Sequence, residues 1–173
     1  MMSAVVARVY VSEHGNVFMR EIAEHLAEAT GATVVTDSLP PTGSDPLDHL
    51  VVAPHEFFAL FPAPAAAVEG AAAHSVCINT EQDGTPFFDL AVRYARLGPM
   101  VFDINPFSMA SLRRRGLAAV HLPLGYVPSM DRWHGANRDR SVDIAMLAAR
   151  TPRRERFLGG AASQLWEWRC GAR

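Results

Sequence analysis

The feature that most constrains this chain is an alternation: short, β-branched apolar runs recur between stretches whose apolar residues fall at helical spacing. The runs are Ala4–Ser12, Thr33–Val35, His49–Ala53, His74–Asn79, Met100–Ile104 and Val120–Leu122. After the first run, Asn16 can cap a helix with Phe18, Ile22, Leu26 and Ala29 on one face, and Gly31 can stop it. Further helices are predicted over Ala63–Ala73, Thr85–Arg96 and Ser108–Arg115, the last ended by Gly116. Strands that alternate with helices of this length pair in parallel through right-handed crossovers. The predicted class is therefore α/β, a Rossmann-like open parallel sheet with helices on both faces.

The pattern changes near residue 128. The stretch 129–141 is rich in turn formers and charge and is expected to be a linker after a first domain at 1–128. A new strand at Val142–Leu147 and a helix opening at Thr151 or Pro152 follow, so 142–173 is expected to be the first βα unit of an incomplete second domain. That helix carries Phe157, Leu158, Leu165 and Trp166, apolar surface with little of its own to cover it. Charge changes too: residues 1–137 hold 8 Arg against 14 Asp and Glu, a net −6, and 138–173 hold 8 against 4, a net +4.

Several functions are excluded by what the chain lacks. All 16 basic residues are arginine, so a phosphate-loop lysine, a Schiff-base lysine and the lysine of a phosphorelay receiver are ruled out. GxGxxG after the first strand, GxSxG, HExxH and CxxC are all absent, which argues against a dinucleotide fingerprint, a hydrolase elbow and a metal centre. No cofactor or metal is expected. Cys77 and Cys170, the two cysteines, suit reduced thiols, and Cys77 a buried strand position. Arg113–Arg115 complement a helix C-terminus better than they suggest nucleic acid, which is not expected as a partner. No apolar run reaches the ~20 residues of a membrane helix, and no signal peptide is evident, so a cytoplasmic protein without an integral membrane segment is expected.

In an open parallel sheet, ligands bind beyond the carboxyl ends of the strands. There this sequence is polar: Glu13, His14, Gly15 and Asn16 follow the first run, His55 and Glu56 the third, Glu81, Gln82 and Asp83 the fourth, Asn105 and Ser108 the fifth. Such a rim could supply acid/base groups and hydrogen bonds to a hydroxyl-rich ligand. Asn16, Thr85 and Ser108 also suit plain helix caps, and acidic residues near helix N-termini are favoured by the dipole alone.

Five strings in order, VVAPHEFFAL (51–60), VCINTEQ (76–82), MVFDINPFSMASLRRRG (100–116), HLPLGYVPSMD (121–131) and VDIAMLAARTPRRERFL (142–158), together resemble bacterial GT-B glycosyltransferases over almost the whole chain. The resemblance implies an acceptor-side domain first and a donor-side domain second, here truncated early, with a nucleotide sugar as donor substrate and a small molecule or glycan as acceptor. It implies a general base at His14, with Glu81 and Asp83 next, and acceptor contacts from Glu13, Gly15, Asn16, His55, Glu56, Gln82, Asn105, Ser108 and Tyr126. Arg153 and Arg154 fall where donor-phosphate arginines would stand, but Ala148, Ala149 and Thr151 replace the glycine, serine and asparagine expected before them. The competing expectations are a non-catalytic α/β module binding a small ligand or protein, and an interaction protein using the pair Trp166 and Trp168.

Overall fold

A computed structural model describes residues 6–130, 155–156 and 159–160. The chain divides into two compact units, Met1–Arg132 and Trp133–Arg173, and the first carries the sheet. Its six strands are β1 (Arg8–Tyr10), β2 (Thr33–Val35), β3 (His49–Val52), β4 (Val76–Asn79), β5 (Val101–Asp103) and β6 (Ala119–His121). All pair in parallel, in the order β2-β1-β3-β4-β5-β6. The open parallel α/β sheet predicted from the alternation is present. Its order is the flavodoxin-like variant of the doubly wound fold, whose switch point lies between β1 and β3.

The central strands β3 and β4 are buried on both sides, which explains why they read as apolar runs rather than as alternating ones. Tyr10, Val51, Cys77 and Val101 point into a core closed by α2 (Pro54–Leu60), α3 (Ala65–Ala73), α4 (Pro86–Ala95) and α5 (Pro106–Arg114). Val9, Leu50, Val52, Val76 and Ile78 point the other way, onto Ala23 and Ala27 of α1 (Val17–Thr30). Cys77 is wholly buried, and burial pushes its thiol up to about 12, so it is a packing residue and not a nucleophile. No helix among the described residues is long and apolar enough to cross a membrane.

Local chemistry sets the element ends. Asn16 Oδ1 accepts from Phe18 N–H to open α1, and Gly31, at φ 73°, takes the left-handed turn that ends it. Thr85 and Asn105 cap α4 and α5, each followed by proline at the first helical position. Ser108, a cap candidate in the sequence, lies inside α5 instead, because the Asn105–Pro106 pair starts the helix earlier. Helix α2 was not expected: Pro54, which ends a strand equally well, here occupies its first turn. The first strand is shorter than its apolar run; Tyr10 ends it, and Ser12 already belongs to the loop. The expected strand at 142–147, Arg153, Arg154, Trp166 and Cys170 lie outside the described residues; Glu155, Arg156, Gly159 and Gly160 are helical and exposed.

Candidate functional site

The loops leaving β1, β3 and β4 meet at the switch point. They enclose a cleft of about 480 Å³ lined by His14, Gly15, Asn16, His55, Glu56, Ala59, Leu60, Glu81, Phe87 and Leu90. Six of these residues belong to the polar rim expected from the sequence.

The β3–α2 connection is what brings the wall of this cleft inward. Ala53, between strand and helix, is left-handed at φ 51° and ψ 66°, a conformation that costs an alanine about 1–2 kcal/mol. Its N–H is anchored to Ile78 O, and its side chain is buried. The sharp turn delivers His55 and Glu56 in the first turn of α2, directly over the sheet edge. Strain of this kind is characteristic of functional turns.

Two carboxylates converge on His55. Glu56 Oε2 accepts from Asn16 N–H at 2.9 Å, tying the β1 loop to α2, while its Oε1 lies 3.9 Å from His55 Nε2. Glu81 Oε2 accepts from the Thr85 hydroxyl at 3.4 Å, and its Oε1 lies 3.4 Å from the same nitrogen. Each carboxylate therefore has one oxygen held by the protein and one turned toward the imidazole. The His55 ring is 4% exposed and packs 5.8 Å from that of Phe87. Desolvation lowers its pKa, only partly offset by Glu81 and Glu56, so the imidazole is neutral near pH 7. Among the described residues, two buried side-chain polar atoms lack a hydrogen-bond partner, His55 Nδ1 and Thr80 Oγ1. Both stand at the carboxyl ends of adjacent strands, where unpaired buried groups require an explanation.

Gly15 makes the close approach possible. A Cβ there would collide with Glu56 Oε2 and lie 3.1 Å from Ser12 Cβ. His14 is exposed on the lip, shared between this cleft and a neighbouring hollow of about 200 Å³ that Glu13 and Asp37 also line. Its backbone N–H donates to Ser12 Oγ.

The other rim residues form a second, internal cluster. Buried Asp103 accepts from Asn79 Nδ2 at 2.8 Å, Asn105 N–H at 2.7 Å and Ser108 Oγ at 2.8 Å. Desolvation raises its pKa against these three donors. The cluster pins the ends of β4 and β5 to α5, and it engages both Asn105, which also caps α5, and Ser108, which is 2% exposed. Asp83 turns away toward α5, where it accepts from Ser111 Oγ and pairs with Arg115 at 3.0 Å. The Ser111 hydrogen bond, with Arg115 and Arg114, holds its pKa down. Gln82 and Tyr126 are exposed and do not line the cleft; Arg153 and Arg154 lie outside the described residues.

Ala53, Asn79 and Asp103 were not singled out from the sequence. The last two carry a signal, being polar residues that end neighbouring apolar strands; an alanine announces nothing about its φ. No group of three or more His, Cys, Asp or Glu suited to a metal ion occurs among the described residues. No protein-family model, curated protein or solved structure matches the chain.

Proposed function

We propose that this domain is the acceptor-side half of a GT-B glycosyltransferase, working in the cytoplasm, and that its switch-point cleft holds the acceptor. The observation that carries the reading is the gathering of His14, Gly15, Asn16, His55, Glu56 and Glu81 around one cleft at the carboxyl edge of the sheet. The cleft sets polar His14, Asn16, His55, Glu56 and Glu81 beside apolar Ala59, Leu60, Phe87 and Leu90, which suits a sugar ring with its hydroxyl edges and apolar face.

In this reading the acceptor hydroxyl gives its proton to His14, and its oxygen bonds to the anomeric carbon of a nucleotide sugar. The carbon–oxygen bond to the diphosphate breaks, and the departing nucleoside diphosphate keeps the electron pair. His14 serves as base because its side chain reaches solvent at the lip, whereas the acidic partners of His55 shape the wall. Glu81 is the second candidate base. The donor would be held by a donor-side half outside the described residues, with no metal required. One observation favours the alternative of a non-catalytic binding module: among the described residues no carboxylate is bonded to the His14 imidazole to orient it, as bases in such pairs usually are.

The test is to express the gene's complete reading frame and assay it against a panel of nucleotide sugars with mixed glycan and small-molecule acceptors. Transfer that is lost on closing the cleft with Leu90→Trp supports the reading. No transfer from any donor overturns it in favour of the binding module.

A further inference from the structure

The cleft has a charge character that the acceptor reading does not require. Glu56 stands on α2 and Glu81 in the loop after β4, yet each places one carboxylate oxygen, Oε1, near His55 Nε2, at 3.9 and 3.4 Å. No arginine lines the cleft, and Glu13 and Asp37 line the hollow beside it. The arginines at the ends of α4 and α5 are committed elsewhere: Arg93 to Glu69, Arg115 to Asp83 and Asp89, Arg113 to Ala119 O. His55 does not neutralise the pair, because burial favours its uncharged form. Two anionic oxygens thus face a neutral imidazole that is nine-tenths buried, lines the cleft, and leaves its Nδ1 without a partner. Within the same cleft, Phe87 stands 59% exposed beside His55 and offers a ring face.

We propose that the occupant of this cleft carries a protonated amino group, seated between the Glu56 and Glu81 carboxylates, on a ring whose apolar face lies against Phe87; the class is an amino sugar or aminocyclitol. An ammonium supplies three donors, enough for both Oε1 atoms and one further acceptor. Its charge compensates a pair of carboxylates that otherwise repel each other in a half-buried setting. An exposed aromatic face adds attraction for the ring and for a nearby cation. The ammonium is a recognition handle, and the group that reacts is a hydroxyl elsewhere on the same ring. The inference rests on the acceptor reading but concerns only what the cleft selects.

Titration of the full 173-residue chain at pH 7 with glucosamine, glucose and N-acetylglucosamine tests it, by calorimetry and by amide shifts in labelled protein. Glucosamine is expected to bind at least tenfold more tightly than either neutral sugar, with shifts at residues 14–16, 55–56 and 81. In Glu81→Gln that preference is expected to fall below threefold. Glu56→Gln should do the same, but Glu56 also holds the β1 loop, so Glu81→Gln, whose hydroxyl contact to Thr85 a carboxamide can keep, is the decisive variant. Equal affinity for the charged and neutral sugars overturns the inference while leaving the acceptor reading intact. A glucosamine preference that survives Glu81→Gln also overturns it, since attraction would then come from the general negative surface. Binding of none of the three also overturns the inference, and the transfer assay then decides the acceptor reading separately.

Discussion

Gly15 and Glu56 show how much of the site depends on single residues. The Glu56 carboxylate passes where a side chain at position 15 would be, and that contact lets it accept from Asn16 N–H. Gly15→Ala should displace the carboxylate, which is a flexible end, and lower stability by only about 1–2 kcal/mol in denaturant unfolding. Ligand affinity at the cleft should fall at the same time by at least about tenfold, the value of one charge-assisted hydrogen bond. An affinity unchanged in that variant would remove Glu56 from the site. His55 carries a pH signature. Its folded pKa lies below the ordinary 6.5, so the unfolded chain takes up the proton first as pH falls, and stability is lost from about 6.5 downward toward the folded value. His49, buried beside Tyr10 and Ser44, has the same sign, and Asp103, with a raised pKa, has the opposite one. His55→Gln should therefore flatten unfolding free energy against pH between 7 and 5, by at most about 1.4 kcal/mol per pH unit. An unaltered slope would mean that His55 is not held neutral.

At the scale of elements, the helix starts were more legible than the strand-to-helix turns. Asn16 and Thr85 were readable as caps because short polar side chains satisfy the free N–H groups of a first turn, whereas at α5 the reading fell on Ser108 and the cap is Asn105, three residues earlier. Helix α2 was not legible, since proline ends a strand and begins a helix with equal ease, and the left-handed Ala53 that joins them belongs to tertiary packing. The string DINPFS was visible as a motif, yet its physical content emerged only with the fold: Asp103 gathers donors from β4, from the following loop and from α5. Ser108→Ala should cost about 1–3 kcal/mol by removing one donor from a buried carboxylate. Gly98→Ala is a contrasting case, because its Cβ would press on the backbone oxygens of Ser75 and Ala72, which cannot swing away as a side chain can. A loss of about 1–3 kcal/mol is expected there as well, with cleft binding unchanged, and thermal unfolding alongside titration distinguishes the two kinds of damage.

For the whole molecule, topology decides where function can lie. The order β2-β1-β3-β4-β5-β6 places the reversal of winding between β1 and β3, and the loops that follow those two strands form the cleft together with the loop after β4. The sequence showed the alternation and the polar loop residues, but not the strand order, so it could not separate the loops after β1, β3 and β4 from the one after β5. The order separates them: His14, Gly15, Asn16, His55, Glu56 and Glu81 share a cleft, whereas Asp103, Asn105 and Ser108 bind one another. The arginines Arg93, Arg96, Arg113, Arg114 and Arg115 lie in or just past the last turns of α4 and α5, and none of them lines the cleft. The most direct measurement of the proposed role is turnover by His14→Ala in the complete reading frame, with the unfolding midpoint recorded on the same sample. Because His14 is an exposed lip residue, the midpoint should be unchanged, while turnover should fall by about 10²–10⁴-fold, the usual contribution of a general base. Transfer at the unmutated rate would contradict the assignment of His14 as the group that takes the acceptor's proton.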